Sequence, residues 1–198
     1  MTRHIRTRSS SSSRRASRLG AALAALGLSI SLSACDSTAF DASTSARSTA
    51  APYGAVTLVW AIDGDTVVVT DPSGQKHSVR LIGVNTPEMN LRSTKEPECG
   101  AEAATEHLRE VLGEPEATLI LKDDPKIPDH DKHGRVLAYV QTPAGTDVGA
   151  AQLSAGWAEV RSYGQDPERL NTYTDLAETA REQARGLHRI CPSSTTTP

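Results

Sequence analysis

Residues 55–88 read AVTLVWAIDGDTVVVTDPSGQKHSVRLIGVNTPE. Ala55–Ile62 is a run of Val, Leu, Ile and Trp broken by Thr57 and two alanines, the composition of a strand. Asp63-Gly64-Asp65 is a turn signal. Thr66–Thr70 is β-branched at every position, which predicts a second strand. Asp71-Pro72-Ser73-Gly74 carries the residues of a tight turn, and strand character resumes over His77–Val84. Pro87 has no N–H to give to a ladder, so the run stops at Asn85-Thr86-Pro87-Glu88. A three-stranded meander is expected before residue 88.

Helices appear beyond it. Over Gly100–Leu112 the residues Ala104, Leu108, Val111 and Leu112 share one helical face, and Gly113 suits the stop. Ala117–Lys122 and Arg135–Thr142 read as a fourth and a fifth strand, the latter followed by a turn at Pro143-Ala144-Gly145. Asp147–Ala155 predicts a short helix, capped by Thr146 or Asp147 and ended by Gly156. Asp166–Arg185 predicts the longest helix, with an apolar stripe of Leu170, Tyr173, Leu176, Ala177, Ala180 and Ala184. Five short strands, read as antiparallel, with one helix inserted after the third, make an α+β chain. The pattern fits a five-stranded OB-fold β-barrel with three α-helices.

The chain around this unit has 198 residues, room for one ordinary domain and a tail. At 37% hydrophobic and 23% charged it reads as a soluble globular protein, not a disordered or fibrous one. Residues 1–35 hold six Arg and no acid, so residues 36–198 carry 15 basic groups against 24 acidic ones, a net −9. An acidic body disfavours a generic basic nucleic-acid coat; nucleic-acid chemistry here needs a locally basic site. No run of about 18 apolar residues exists, which excludes a polytopic membrane protein.

Met1–Arg18 is rich in Arg and Ser, Leu19–Leu32 is a short apolar stretch, and Ser33-Ala34-Cys35 follows. That order describes an export signal. Leu32-Ser33-Ala34-Cys35 resembles the lipobox of bacterial lipoproteins, which implies cleavage before Cys35 and a lipid on its sulfur. The protein is then expected on the extracytoplasmic face of the cell membrane, or secreted if Cys35 is not modified. Arg14-Arg15 leaves the general secretory and twin-arginine routes both open. Residues 36–52 are mostly Ser, Thr, Ala and Asp. The expected organisation is a signal over 1–34, a flexible tether over 35–52, a folded domain over 53–191 and a polar tail over 192–198. Three Cys is an odd number for an exported chain. With Cys35 lipidated, Cys99 and Cys191 remain as a pair expected to oxidise outside the cytoplasm.

Three segments hold the chemistry: Ala61–Val67 (AIDGDTV), Arg80–Glu88 (RLIGVNTPE) and Asp131–Tyr139 (DKHGRVLAY). Asp63, Asp65, Asn85 and Glu88 are oxygen donors at strand ends and turns, suited to Ca²⁺ or Mg²⁺ more than to zinc. Arg80 and Arg135 present forks that match a phosphate. A cation, a carboxylate and two guanidiniums are what in-line attack on a phosphodiester needs. His130 and His133, with Asp129 and Asp131, superficially suggest a second metal cluster; the segment reads instead as an acidic loop.

Together and in this order, the three segments resemble the thermonuclease family, the staphylococcal nuclease-like domains, over about residues 55–190. The resemblance implies the OB-type barrel and Ca²⁺-dependent endonucleolytic cleavage of DNA and RNA that leaves 3′-phosphate ends. It places Asp65 as the first metal carboxylate, Asn85 where the family commonly has the second, and Thr86 as a main-chain carbonyl ligand. It places Glu88 as the carboxylate that orients or deprotonates the attacking water, and Arg80 and Arg135 as phosphate-binding arginines. His133 stands where a Tyr is common and Tyr163 near the family's base-stacking tyrosines, so both are candidate substrate contacts. Asn85 is neutral, which lowers the charge of the metal site. That neutrality and the acidic body favour the alternative, a catalytically weak OB-fold module that binds nucleic acid or protein. No protein partner is indicated, and a monomer is expected.

Overall fold

The computed structural model describes residues 51–162 and 164–191. Cys35, the expected export signal, the polar tail, Tyr163 and all of the expected tether but its last two residues lie outside the described residues. Among the described residues, seven strands and four helices follow in chain order: β1 (Gly54–Asp63), β2 (Thr66–Thr70), β3 (Lys76–Leu81), β4 (Val84–Asn85), α1 (Ala101–Leu112), β5 (Thr118–Lys122), β6 (Val136–Gln141), α2 (Val148–Ser154), β7 (Glu159–Val160), α3 (Leu170–Glu182) and the one-turn α4 (Leu187–Ile190).

Five of the strands close into a barrel in the order β1-β2-β3-β6-β5. The meander is as expected, with Ala61 opposite Val67 and Thr66 opposite Arg80. β1 is long enough to pair with β2 over one half and β5 over the other. Two register irregularities near Trp60 and Ile62 let it bend around the barrel. The all-antiparallel expectation is corrected: β3 and β6 run parallel, with Arg80 opposite Leu137. Five strands closed in a ring cannot all alternate in direction, so one neighbouring pair must be parallel. The long connection through α1 and β5 brings β6 to β3 in that sense.

Val67, Val69, Val79, Leu81, Leu119, Leu121 and Val140 fill the barrel, each essentially removed from solvent. α1 packs on β1 and α2, and α2 packs on α3. Ala101, Ala104, Leu108 and Leu112 form the buried stripe of α1, close to the face that the spacing predicts. Asp147 is the cap of α2, accepting the Ala150 N–H at 3.0 Å. Arg169 and the Tyr173 hydroxyl both bond the Asp147 carboxylate and fasten α3 to the start of α2.

Two boundaries differ from the sequence reading. The third strand breaks after Leu81, and Val84–Asn85 forms a separate two-stranded ladder with Glu159–Val160. Gly83, at φ 80°, makes that break. The predicted longest helix, α3, spans Leu170–Glu182, shorter than predicted at both ends. Upstream, the Glu168 N–H is taken by Asp124 Oδ2 at 2.7 Å. Downstream, Ala184 turns left-handed at φ 47° and the chain re-enters as α4. Cys99 and Cys191 are disulfide-bonded with Cα atoms 6.1 Å apart, which ties the start of α1 to the end of α4. By loop-closure entropy a bridge this long contributes about 4–5 kcal/mol.

Candidate active site

The β2–β3 pairing puts Thr66 opposite Arg80, so Asp65, one residue before β2, lies beside the Arg80 side chain. Arg80 Nη2 meets Asp65 Oδ2 at 2.8 Å with both side chains nearly closed to solvent. Arg80 Nη1 donates to the Leu81 carbonyl at 3.2 Å. The same Asp65 oxygen accepts the Thr86 N–H at 2.9 Å, and Asp65 Oδ1 accepts the Thr66 hydroxyl at 3.0 Å. Desolvating an ion pair is costly, and these extra hydrogen bonds are what make the burial tolerable. Asn85 Oδ1 accepts from Arg80 Nη2 at 3.3 Å and from Arg161 Nη1 at 2.8 Å. Asp65, Arg80, Asn85 and Thr86 therefore form one cluster at the end of the barrel.

The turn that supplies Asp65 is held from several sides. Asp63 Oδ1 accepts the Asp65 N–H at 3.2 Å. Burial, and then the Asp65 charge beside it, push the Asp63 carboxyl well above the usual carboxylate range. Gly64 admits no side chain: a Cβ would lie 2.8 Å from Thr86 Oγ1. Behind the turn stands Gln152 of α2, fully buried. Its Nε2 donates to the Gly64 carbonyl at 2.6 Å and to the Ala104 carbonyl at 3.0 Å, and His107 Nδ1 bonds its Oε1.

Could this cluster take a divalent cation? Asp65 Oδ2 and Asn85 Oδ1 both bond Arg80 Nη2, so two hard oxygens already converge on one positive centre. Thr86 Oγ1 is buried without a hydrogen-bond partner in the residue whose N–H bonds Asp65. The donor set fits a hard cation. The carboxylates alone do not form a conventional site: among the described residues no three His, Cys, Asp or Glu cluster as metal ligands.

The remaining candidates stand further out. Glu88 is exposed; its N–H bonds Glu98 Oε2 at 2.9 Å and its carbonyl accepts the Glu98 N–H at 3.0 Å, closing the loop between them. Arg135 lies two residues before Leu137, the β6 partner of Arg80. Its Nε meets Asp131 Oδ2 at 2.7 Å, and Asp131 Oδ1 accepts the N–H groups of His133 and Arg135. His133 is exposed on that turn. Asp131 is thus a turn cap and the partner of Arg135.

Two residues of the site escaped the sequence reading. Arg161 follows a strand of two residues and has no periodic context to mark it. Gln152 is a lone polar residue on an apolar helix; its place on the buried face of α2 was the available signal.

Residues 78–189 match the family of staphylococcal nuclease homologues. The chain belongs to the staphylococcal nuclease family. A thermonuclease of Staphylococcus hyicus is 30% identical over 133 residues, 67% of this chain and 72% of that protein. A thermonuclease of Staphylococcus intermedius is 42% identical over 79 residues, 40% of this chain and 44% of that protein. An uncharacterized protein of Bacillus anthracis is 40% identical over 78 residues, 39% of this chain and 34% of that protein. The family match contains Arg80, Asn85, Thr86, Glu88 and Arg135 and begins after Asp65. The ladder between β2 and β3 brings Asp65 to the nuclease-family cluster, and the closed barrel agrees with the OB-type fold that the sequence implies.

Proposed function

We propose that this protein is an exported, Ca²⁺-dependent endonuclease that hydrolyses phosphodiester bonds of DNA and RNA and leaves 3′-phosphate ends. The observation that carries the reading is the convergence of Asp65 Oδ2 and Asn85 Oδ1 on one guanidinium nitrogen at the barrel end. There a negative group, a neutral oxygen donor and a fixed positive charge meet in a site largely closed to water. Bound Ca²⁺ would be held by Asp65, Asn85 and the Thr86 carbonyl and would supply positive charge beside the phosphoryl oxygens.

The chain's own residues account for the rest. Glu88, at the solvent side, takes a proton from water as its oxygen attacks phosphorus. The bond from phosphorus to the 5′ oxygen breaks and that oxygen takes a proton from solvent water, leaving a 3′-phosphate and a 5′-hydroxyl. Arg80 and Arg135 stabilise the charge that builds on the non-bridging oxygens. Arg80 is fixed by Asp65 and Arg135 by Asp131, so little reorganisation accompanies the reaction. His133 and Tyr163 are proposed substrate contacts.

Digestion of plasmid DNA and of RNA with Ca²⁺, then with EDTA, tests the reading. Cleavage with Ca²⁺ that stops on chelation is expected. Binding without cleavage under any divalent cation would leave the alternative, a catalytically weak OB-fold module; the neutral Asn85, bonded by two guanidiniums, is what favours it. We also propose that lipidation of Cys35 anchors the domain outside the cell membrane. The protein should then move from the detergent to the aqueous phase in a Cys35→Ser variant.

A further inference from the structure

We infer that Arg161 is a third phosphate-binding arginine, a substrate contact at the mouth of the site; the inference rests on the nucleic-acid reading above. Arg161 Nη1 and Arg80 Nη2 are hydrogen-bonded to the same atom, Asn85 Oδ1. Two donor nitrogens brought to one oxygen can grip the non-bridging oxygens of one phosphodiester. An amide oxygen, unlike a carboxylate, adds no negative charge between them. Asn85 thus orients two cations that a carboxylate at this position would partly neutralise.

The two arginines differ in what they can offer a polyanion. Arg80 is buried, with its Nη2 2.8 Å from Asp65 Oδ2, and meets only a phosphate that enters the site. Arg161 is exposed, where a strand of nucleic acid in solution can reach it. Its backbone is held as well as its side chain: the Arg161 N–H bonds the Gly83 carbonyl at 3.0 Å, directly beyond the pairing of Val84 with Val160, and Nη1 bonds Asn85 Oδ1. The short β4–β7 ladder carries Asn85 on one strand and delivers Arg161 from the end of the other. In a body of net charge −9 over residues 36–198, such local placement is how phosphate would be captured.

The test is binding, without turnover. A fluorescently labelled single-stranded thymidine oligonucleotide is titrated with the full chain in EDTA at several salt concentrations. Neutralising one phosphate on a single strand contributes about 0.7 to the slope of log affinity against log salt. Arg161→Ala should flatten the slope by about that much and weaken binding, while Arg161→Lys keeps the slope. Arg109→Ala, on the exposed face of α1, should match the wild type. A wild-type slope in Arg161→Ala overturns the inference alone. A flattened slope in Arg161→Lys as well overturns it too, because the effect then comes from geometry around Asn85 and not from the added charge. Wild-type protein that fails to bind at any salt would sink the nucleic-acid reading itself.

Discussion

The candidate site residues fall into an inner half and an outer half, built on different principles. Two Arg–Asp pairs make the comparison direct. Arg80–Asp65 sits between barrel strands with side chains 5% and 3% exposed; Arg135–Asp131 sits at a surface turn with 33% and 13%. Breaking the first leaves a buried charge with no counter-charge, whereas water can solvate what is left of the second. The inner half is therefore part of what holds the barrel end together. The outer half, Glu88 included, sits on loops closed by the contacts of Glu88 with Glu98 and of Arg135 with Asp131, away from the packing of the barrel.

The sharpest break in that comparison comes from Arg80→Met. Asp65 would keep its charge and lose its partner, a change that costs about 3–5 kcal/mol when a buried pair is broken from one side. Chemical denaturation should show that loss, together with loss of cleavage. Glu88→Gln should do the reverse. Turnover is expected to fall by about 100-fold to 10,000-fold, the usual range for general acid–base groups, with the melting temperature unchanged. A large stability loss here would mean that the loop closed by Glu98 belongs to the inner half.

Gln152→Leu tests whether the inner half extends into the helices. The carbonyls of Gly64 and Ala104 would each lose a donor, and an unsatisfied buried group costs about 1–3 kcal/mol. A denaturation midpoint equal to that of the wild type would show that the turn stands without this strut.

Acid sharpens the contrast from the outer side. Burial works to raise the Asp131 pKa, but the Arg135 and His133 N–H bonds and the Arg135 charge outweigh it, and the carboxyl titrates below its ordinary value. A pKa lowered on folding contributes stability above the unfolded value, about 3.9, and that contribution is lost as pH falls through the folded pKa. Asp131→Asn should therefore melt below the wild type at pH 7, and the gap should narrow on acidification under pH 4. The smallest effect is expected from Asn85→Asp. One added carboxylate charge should lower the Ca²⁺ concentration for half-maximal cleavage, read by titrating Ca²⁺ against rate. An unchanged midpoint would mean that Asn85 is not a ligand.

Local chemistry in the sequence was enough for the barrel's five strands, α1, α2, the Asp147 cap and the turn at Asp63-Gly64-Asp65. Alternation of apolar residues, β-branched runs and punctuating Gly and Pro act over a few residues, and those signals survive without a partner. The same locality marked Asp63, Asp65, Asn85 and Glu88 as oxygen donors at strand ends and turns and Arg80 as a phosphate fork, whereas Thr86 entered only through the family resemblance. The pairing of Cys99 with Cys191 followed from counting, and the fold brings the two within bonding reach.

Only the tertiary structure decided the rest. A two-residue strand such as β4 or β7 has no period to read, and its existence depends on the other. The parallel β3–β6 pair is a property of closing a ring, not of any segment. The end of α3 is set where Ala184 takes a left-handed turn, although its apolar stripe continues in the sequence. Arg161 reaches Asn85 across 76 residues, and Gln152 reaches Gly64 across 88. Contacts of that range leave no mark on neighbouring residues, because their energy is realised only when the barrel has closed and brought both ends together.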